Sequence, residues 1–385
     1  MDVEIGLGKK ARRAYAFDDV AIVPSRRTRD PDDVDIGWKL GEHFLELPLL
    51  ASAMDGVVSP RTAIEIGRLG GIGVLNLEGI WTRYANADER LEKIATLGPA
   101  EATRGMQEIY AHAIDPSLVA RRVREIKSGG VLAAGAFTPQ RVRDYYELAL
   151  EAGLDILVIQ GTVVSAEHVS SNGAALNLKH FIRGLDIPVI VGGCASYQSA
   201  LHLMRTGAEG VLVGVGPGAA CTTRGVLGVG VPQATAIADV AAARAQHVLD
   251  TGRYVNVIAD GGMRTGGDIA KAIACGADAV MIGSPLARAH EAPGRGFHWG
   301  MATFHPSLPR GARVEVKQVA SLEEIVVGPA GENDGTLNLM GALRTSMATC
   351  GYENIHDFQR AEVLLAPALK TEGKALQQAQ RIGMG

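Results

Sequence analysis

Cys221 stands in the run GVGPGAACTTRGVLGV, residues 214–229, directly after the apolar stretch Gly210–Val213. Most free cysteines act as small buried hydrophobes, and Cys194, Cys275 and Cys350 sit in surroundings that suit that role. Cys221 instead has Gly and Pro before it and Thr and Arg after it. A thiol in such a loop can ionise and attack an electrophilic carbon. A second chemical position is Asp260 in the run ADGG. Its carboxylate accepts two hydrogen bonds at once, which fits the two hydroxyls of a ribose, and the following glycines let backbone approach a ligand. Gly262 and the pair Gly283-Ser284 offer N–H groups at helix entries, where a phosphate is favoured. A nucleophile, a diol acceptor and a phosphate cradle together read as a nucleotide site.

Other chemistries find little support. The cysteines are widely scattered with no CxxC, which fits free thiols and a cytoplasmic protein. His168, His180, His202 and His247 are spread along helix-like stretches and form no metal-ligand pattern. There is no Walker loop and no GxGxxG; residues 214–218 read GVGPG. With 47% hydrophobic and 21% charged residues and a net charge of −4, nothing calls for a nucleic-acid or membrane partner. The start, MDVEIGLGKKARRAY, lacks the apolar core of a signal peptide. No apolar stretch approaches the ~20 residues of a membrane span. The basic residues Lys9, Lys10, Arg12, Arg13, Arg26, Arg27 and Arg29 read as a solvated face.

The elements that must position these residues show a repeat. Apolar runs at 47–51, 71–75, 131–135, 155–159, 187–191, 210–213, 255–259 and 279–282 alternate with helix candidates such as 60–69, 139–152, 197–206, 233–250 and 267–275. Several helices end in the same punctuation, EAGLD, RTGAEG and ACGADA, where Gly suits a left-handed cap. Strands apolar on both faces, alternating with helices, imply a parallel sheet. Eight units predict closure into a (β/α)8 TIM barrel rather than an open doubly wound sheet. The expectation is one barrel domain over 1–385, with an N-terminal arm at 1–45, a functional flap at 288–335, returning helices at 335–350 and 354–362, and a polar, mobile tail at 363–385. Barrel chemistry collects just past the strand ends. Those positions hold Ser52, Met54 and Asp55; Asn76 and Glu78; Gln160; Gly192 and Gly193; the Cys221 loop; Asp260 to Gly262; and Gly283-Ser284.

Taken together, these segments resemble the family of inosine monophosphate (IMP) dehydrogenases and GMP reductases. The likeness is carried by FDDVAIVP (17–24), LLASAMD (49–55), GGIGVLN (70–76), the Cys221 loop with its continuation to residue 237, IADGGMRTGGDIAKAIACGADAVMIGSPLA (258–287) and GALRTSMATCG (341–351). About 50 residues separate the second and third strands, which leaves no room for the regulatory cystathionine-β-synthase pair of many dehydrogenases. The resemblance implies that Cys221 attacks C2 of the purine, that Thr223 handles the leaving or attacking group, and that Asp260 binds the ribose. It places Gly262, Gly283 and Ser284 on the phosphate, Ser52 and Met54 along the nucleotide, and Gly300 and Met301 at the base edge. It places the carbonyls of Gly216, Gly218 and Cys221 on a monovalent cation such as potassium. A purine nucleoside monophosphate, NAD or NADPH, and a homotetramer or octamer are implied with it.

The chain also departs from the family. Dehydrogenases activate water with an Arg-Tyr pair in the flap, and there is no Tyr between Ala302 and Gly335. Reductases carry a Lys after the second strand and a Glu before a Gly in the flap; here these are Leu77 and Arg310. The acid expected against the cofactor ribose is Gln160, an expected Asn is Gly193, and the phosphate-loop Ser is Ala219. Losing that acid removes a repulsion against the 2′-phosphate of NADPH. The expectation is therefore GMP reductase, with Thr223 and Glu78 as proton donors to the departing ammonia. IMP dehydrogenase is the alternative, and a catalytically silent purine-nucleotide sensor the third reading.

Overall fold

The computed structural model describes residues 2–168, 176–366 and 373–380. Eight parallel strands close into a barrel in sequential order: β1 Leu49–Ala51, β2 Ile72–Asn76, β3 Ala134–Phe137, β4 Ile156–Gln160, β5 Val189–Cys194, β6 Gly210–Val213, β7 Asn256–Asp260 and β8 Ala279–Ile282. The fold is the expected TIM barrel. Strand β3 starts later than its apolar run because the Ala133 amide donates to the Asp155 carboxylate at 2.7 Å rather than to the ladder.

The helices follow local signals. Helix α1 (Pro60–Arg68) opens with Ser59 in a capping box and Pro at its first position. Between β2 and β3 lie three helices with no counterpart in the sequence reading: α2 (Ala87–Thr96), α3 (Ala102–Tyr110) and α4 (Pro116–Ser128). Then come α5 (Val142–Glu151), α6 (Leu178–Arg183), α7 (Tyr197–Met204), α8 (Thr223–Leu227), α9 (Gln233–Thr251) and α10 (Gly266–Ala274). The three punctuating glycines, Gly153, Gly207 and Gly276, have φ of 93°, 104° and 115°, the left-handed geometry that lets the chain turn into the next strand.

Strand side chains alternate between two cores, as a period of two requires. Leu50, Ile72, Val74, Ile156, Val158, Ile190, Leu212, Ile258 and Met281 fill the barrel interior. Leu49, Leu75, Leu157, Val191, Val211 and Val257 face the helices. Trp38, Leu40 and Leu45, from the hairpin Trp38–Leu40/His43–Leu45, close the interior at the end where the strands begin.

Beyond β8 the chain is less loop-like than its composition suggested. Phe297–His298 pairs with Val314–Glu315, and α11 (Leu322–Val326) precedes α12 (Leu339–Thr349). The expected mobile tail is corrected at its start. Val363–Leu365 pairs antiparallel with Val20–Ile22, because the apolar run VLL finds an open strand edge in the N-terminal arm. The tail residues 367–372 and 381–385 lie outside the described residues. Among the described residues, no helix is long and apolar enough to cross a membrane.

Candidate active site

The alternation that fills the interior also builds the mouth. Continuing the inward positions by two gives Ser52 after Leu50, Asn76 after Val74, Gln160 after Val158, Gly192 after Ile190, Gly214 after Leu212, Asp260 after Ile258 and Gly283 after Met281. Glycine at three of these places lets neighbouring groups close in where a Cβ would collide, with Leu212 at Gly192, Asp260 at Gly214 and Met54 at Gly283. Gln160 crosses the mouth: its Nε2 donates from β4 to Asp260 Oδ2 on β7 at 3.1 Å. The residue expected at the cofactor ribose therefore holds the carboxylate expected at the substrate ribose. Burial raises the Asp260 carboxyl to about 7, against the opposing Gln160 hydrogen bond.

The Cys221 loop lies against this turn. A Cβ on Gly214 would fall 2.2 Å from the Asp260 carbonyl, and one on Gly261 would fall 3.2 Å from the Gly218 nitrogen, so the two turns meet with no side chain between them. Cys221 is half-buried, and its Sγ lies 3.2 Å from Oγ1 of the fully buried Thr223, the first residue of α8. A hydroxyl there can donate to a thiolate. The other cysteines are poor nucleophiles: burial pushes Cys194 up to about 12 and Cys275 up to about 11, and raises Cys350. At another corner, a Cβ on Gly283 would meet Met54 Sδ at 2.6 Å and Ser52 Cβ at 3.5 Å, which brings Ser52, Met54 and Gly283 together. Ser284 follows, half-buried.

A segment from beyond β8 covers the loop. The Thr222 amide donates to the Arg310 carbonyl at 3.1 Å, the Ala312 amide to the Ala220 carbonyl at 2.8 Å, and Cys221 bridges Gly311. Gly300 caps a short turn, Met301–Phe304, whose neighbour Trp299 is buried. Trp299 Nε1 donates to Tyr110 Oη at 2.7 Å, Tyr110 Oη donates to Asp55 Oδ2 at 2.5 Å, and the Tyr110 and Phe304 rings stack at 4.1 Å. Desolvation raises Asp55 to about 6. Tyr110 and Arg310 were not singled out by the sequence reading for these contacts. Tyr110 lies in the unanticipated α3, and its partner is about 190 residues away.

Three expected residues sit differently from the rest. Glu78 is buried, its Oε1 accepts the Thr138 amide at the end of β3, and burial raises its carboxyl. That contact faces β3, away from the Cys221 loop. The Gly193 amide donates to the Gly161 carbonyl at 2.9 Å and its carbonyl accepts the Val164 amide at 3.0 Å, so it joins the β4 and β5 loops. The Gly218 carbonyl accepts the Cys221 amide at 3.0 Å, so one of the three oxygens expected for a monovalent cation already has a donor. Among the described residues there is no group of three or more His, Cys, Asp or Glu placed to hold a metal.

Residues 14–373 match the IMP dehydrogenase / GMP reductase domain. The chain belongs to this family. An uncharacterised oxidoreductase of Mycolicibacterium smegmatis is 49% identical over 93% of this chain and 98% of its own length. An inosine-5′-monophosphate dehydrogenase of Cryptosporidium parvum is 31% identical, covering 91% of each chain. The crystal structure of an IMP dehydrogenase/GMP reductase-like protein from Corynebacterium glutamicum superposes with a TM-score of 0.91 at 45% identity, covering 95% of this chain and 98% of that one. The family assignment drawn from the motifs is thus confirmed, and with it the coarse activity of an oxidoreductase.

Proposed function

We propose that the protein oxidises IMP at C2 of the purine through a covalent Cys221 adduct, as an NAD-dependent IMP dehydrogenase. The observation that carries this reading is the strand-like bridge that lays Arg310-Gly311 on Cys221. Where a reductase needs an acid for departing ammonia, this chain brings an arginine. On this reading Arg310, at the position of the reductase glutamate, would polarise the attacking water without the help of a tyrosine. Glu78, the acid invoked for GMP reduction, is engaged at β3 instead. The named dehydrogenase from Cryptosporidium parvum, similar over most of this chain, supports the same direction.

Asp260 and the Gly283 corner would orient the ribose and phosphate, and Ser52 and Met54 would line the nucleotide. Thr223 would donate to the Cys221 thiolate and steady it for addition to C2. A bound nicotinamide cofactor supplies the acceptor for the hydrogen leaving C2 with its electron pair. Water, oriented and polarised by the Arg310 guanidinium, would then add at C2 and lose its proton to solvent, and the C–S bond would break to return the thiolate and release XMP. No step here uses a cation.

The GMP reductase reading keeps two supports, the absence of a flap tyrosine and of an acid at position 160. Purified protein is given IMP with NAD and, separately, GMP with NADPH while nicotinamide absorbance is followed. Signal gain with IMP alone is expected. Loss with GMP alone reverses the assignment, and silence in both with purine binding intact makes the protein a sensor. Cys221→Ala abolishes turnover and keeps nucleotide binding.

A further inference from the structure

We propose a second ligand site, for a small phosphate-bearing anion, at the end of the barrel opposite Cys221. A hollow of about 420 Å³ opens there beside the chain entering β5, β6 and β7, and its size suits a small ligand. Lys179 and Arg183 come from α6, Arg205 follows α7, His247 lies in the last turns of α9, and Arg253 precedes β7. No carboxylate is among the residues that line it.

The cations are arranged rather than scattered. Arg205 Nη2 is held by Asp250 and Arg253 Nη2 by Glu209, each at 3.0 Å, which fixes the two guanidiniums and leaves other N–H donors of each without a carboxylate. A Cβ on Gly207 would lie 3.7 Å from Arg183 Cγ and 3.9 Å from Arg253 Nη1, so these two arginines flank one bare backbone position. Lys179 and Arg183 are exposed and have no acid partner among the described residues. Guanidiniums and an ammonium lining one hollow supply the forked and point-charge donors that recognise phosphate.

His247 is the independent pointer. It lines the hollow, is 3% exposed, and its Nδ1 is buried without any hydrogen-bond partner. Buried polar atoms are normally paired, and this one lies beneath the wall of the hollow with no hydrogen-bond partner in the protein. Desolvation and the nearby Arg253 and Arg205 charges together lower its pKa, which agrees with their closeness. A neighbouring hollow of about 320 Å³ shares Arg183, Gly207 and Arg253 but adds Glu42, Asp186 and Glu209. The cationic end therefore takes the phosphate, and the acidic end can accept from hydroxyl groups on the same molecule.

The test is calorimetric titration of the full chain with inorganic phosphate, pyrophosphate and ribose 5-phosphate, each also against Lys179→Gln/Arg183→Gln. Both side chains are exposed, and circular dichroism and melting of the double variant check that the fold is kept. Saturable binding with at least a tenfold loss in the double variant, and recovery in Lys179→Arg/Arg183→Lys, is the expected result. Ribose 5-phosphate binding tighter than free phosphate assigns a phosphate ester; the reverse assigns the free anion. Asp260→Asn, at the far mouth, leaves this binding unchanged. Binding that is absent, or that survives in the double variant whatever Asp260→Asn does, overturns the site. Because no purine or turnover enters the assay, its failure is distinct from failure of the dehydrogenase reading.

Discussion

Asp260 shows how one residue couples the barrel's construction to its chemistry. Parity aims it at the axis, burial raises its carboxyl to about 7, and Gln160 supports it from across the mouth. The folded protein holds this proton up to about pH 7, whereas an unfolded chain releases it near 3.8. The stability associated with that retained proton is therefore complete below about 3.8 and is lost as pH rises through about 7. Ionising so buried a carboxyl works against the fold by at most on the order of 4 kcal/mol. Asp260→Asn is expected to melt a few degrees higher than the parent at pH 8 and to show no advantage at pH 4, by calorimetry at both values. If Asp260 holds the ribose as proposed, the same proton opposes ligand binding, because only the carboxylate can accept from both hydroxyls. Nucleotide affinity should strengthen from pH 6 to pH 8 in the parent and lose that trend in Asp260→Asn.

At the scale of elements, the barrel and the covering segment differ in how they are encoded. The eight strands and their end residues were legible because each unit writes its own pattern: a both-faces-apolar run, a helix, and a left-handed glycine such as Gly207 or Gly276. The ring of Ser52, Gln160, Asp260 and Gly283 follows from that pattern by counting in twos. The three helices between β2 and β3 were not legible in the same way. Part of what holds α3 is remote, since Gln107 donates to the His305 carbonyl at 3.1 Å and Tyr110 pairs with Trp299. Gly311 gives the covering segment its own logic: a Cβ there would fall 2.3 Å from Thr303 Oγ1, so a tyrosine cannot follow Arg310 in this packing. On the dehydrogenase reading Arg310 would then act without a tyrosine, and its Nε is buried and unpaired. Arg310→Ala keeps the backbone bonds to Ala220 and Thr222 and removes only the guanidinium. Water attack should slow by about 10²–10³-fold, as for loss of one preorganised hydrogen-bond donor. The purine–Cys221 adduct should then accumulate, visible as added mass on the intact protein after mixing with IMP and NAD. A variant that turns over slowly without adduct would place Arg310 before hydride loss instead.

For the whole molecule, the two ends of the barrel divide the labour, and the lower end carries a polar tie that no local motif announces. Asp278, just before β8, accepts from Arg244 Nη1 at 2.7 Å, the Val257 amide at 2.7 Å, Tyr254 Oη at 2.6 Å and Gln359 Nε2 at 2.7 Å. Gln359 Oε1 in turn accepts from Arg244 Nη2 at 3.1 Å. One buried carboxylate thus joins α9, the entry to β7, the entry to β8 and the chain after α12, which is how the C-terminal segment is fastened to the barrel. Each of its two oxygens takes two donors, so its desolvation is well compensated. Removing it leaves the Arg244 guanidinium buried among donors with no anion. Breaking such a pair costs about 3–5 kcal/mol, because the remaining charge stays buried and uncompensated. Asp278→Ala should therefore lower the urea midpoint by that amount of stability. Residues at the strand entrances touch nothing at the mouth, so the folded fraction of this variant should keep its nucleotide affinity and kcat at 25 °C. If kcat fell in parallel with stability, the lower end would have to be coupled to the Cys221 loop through the barrel itself.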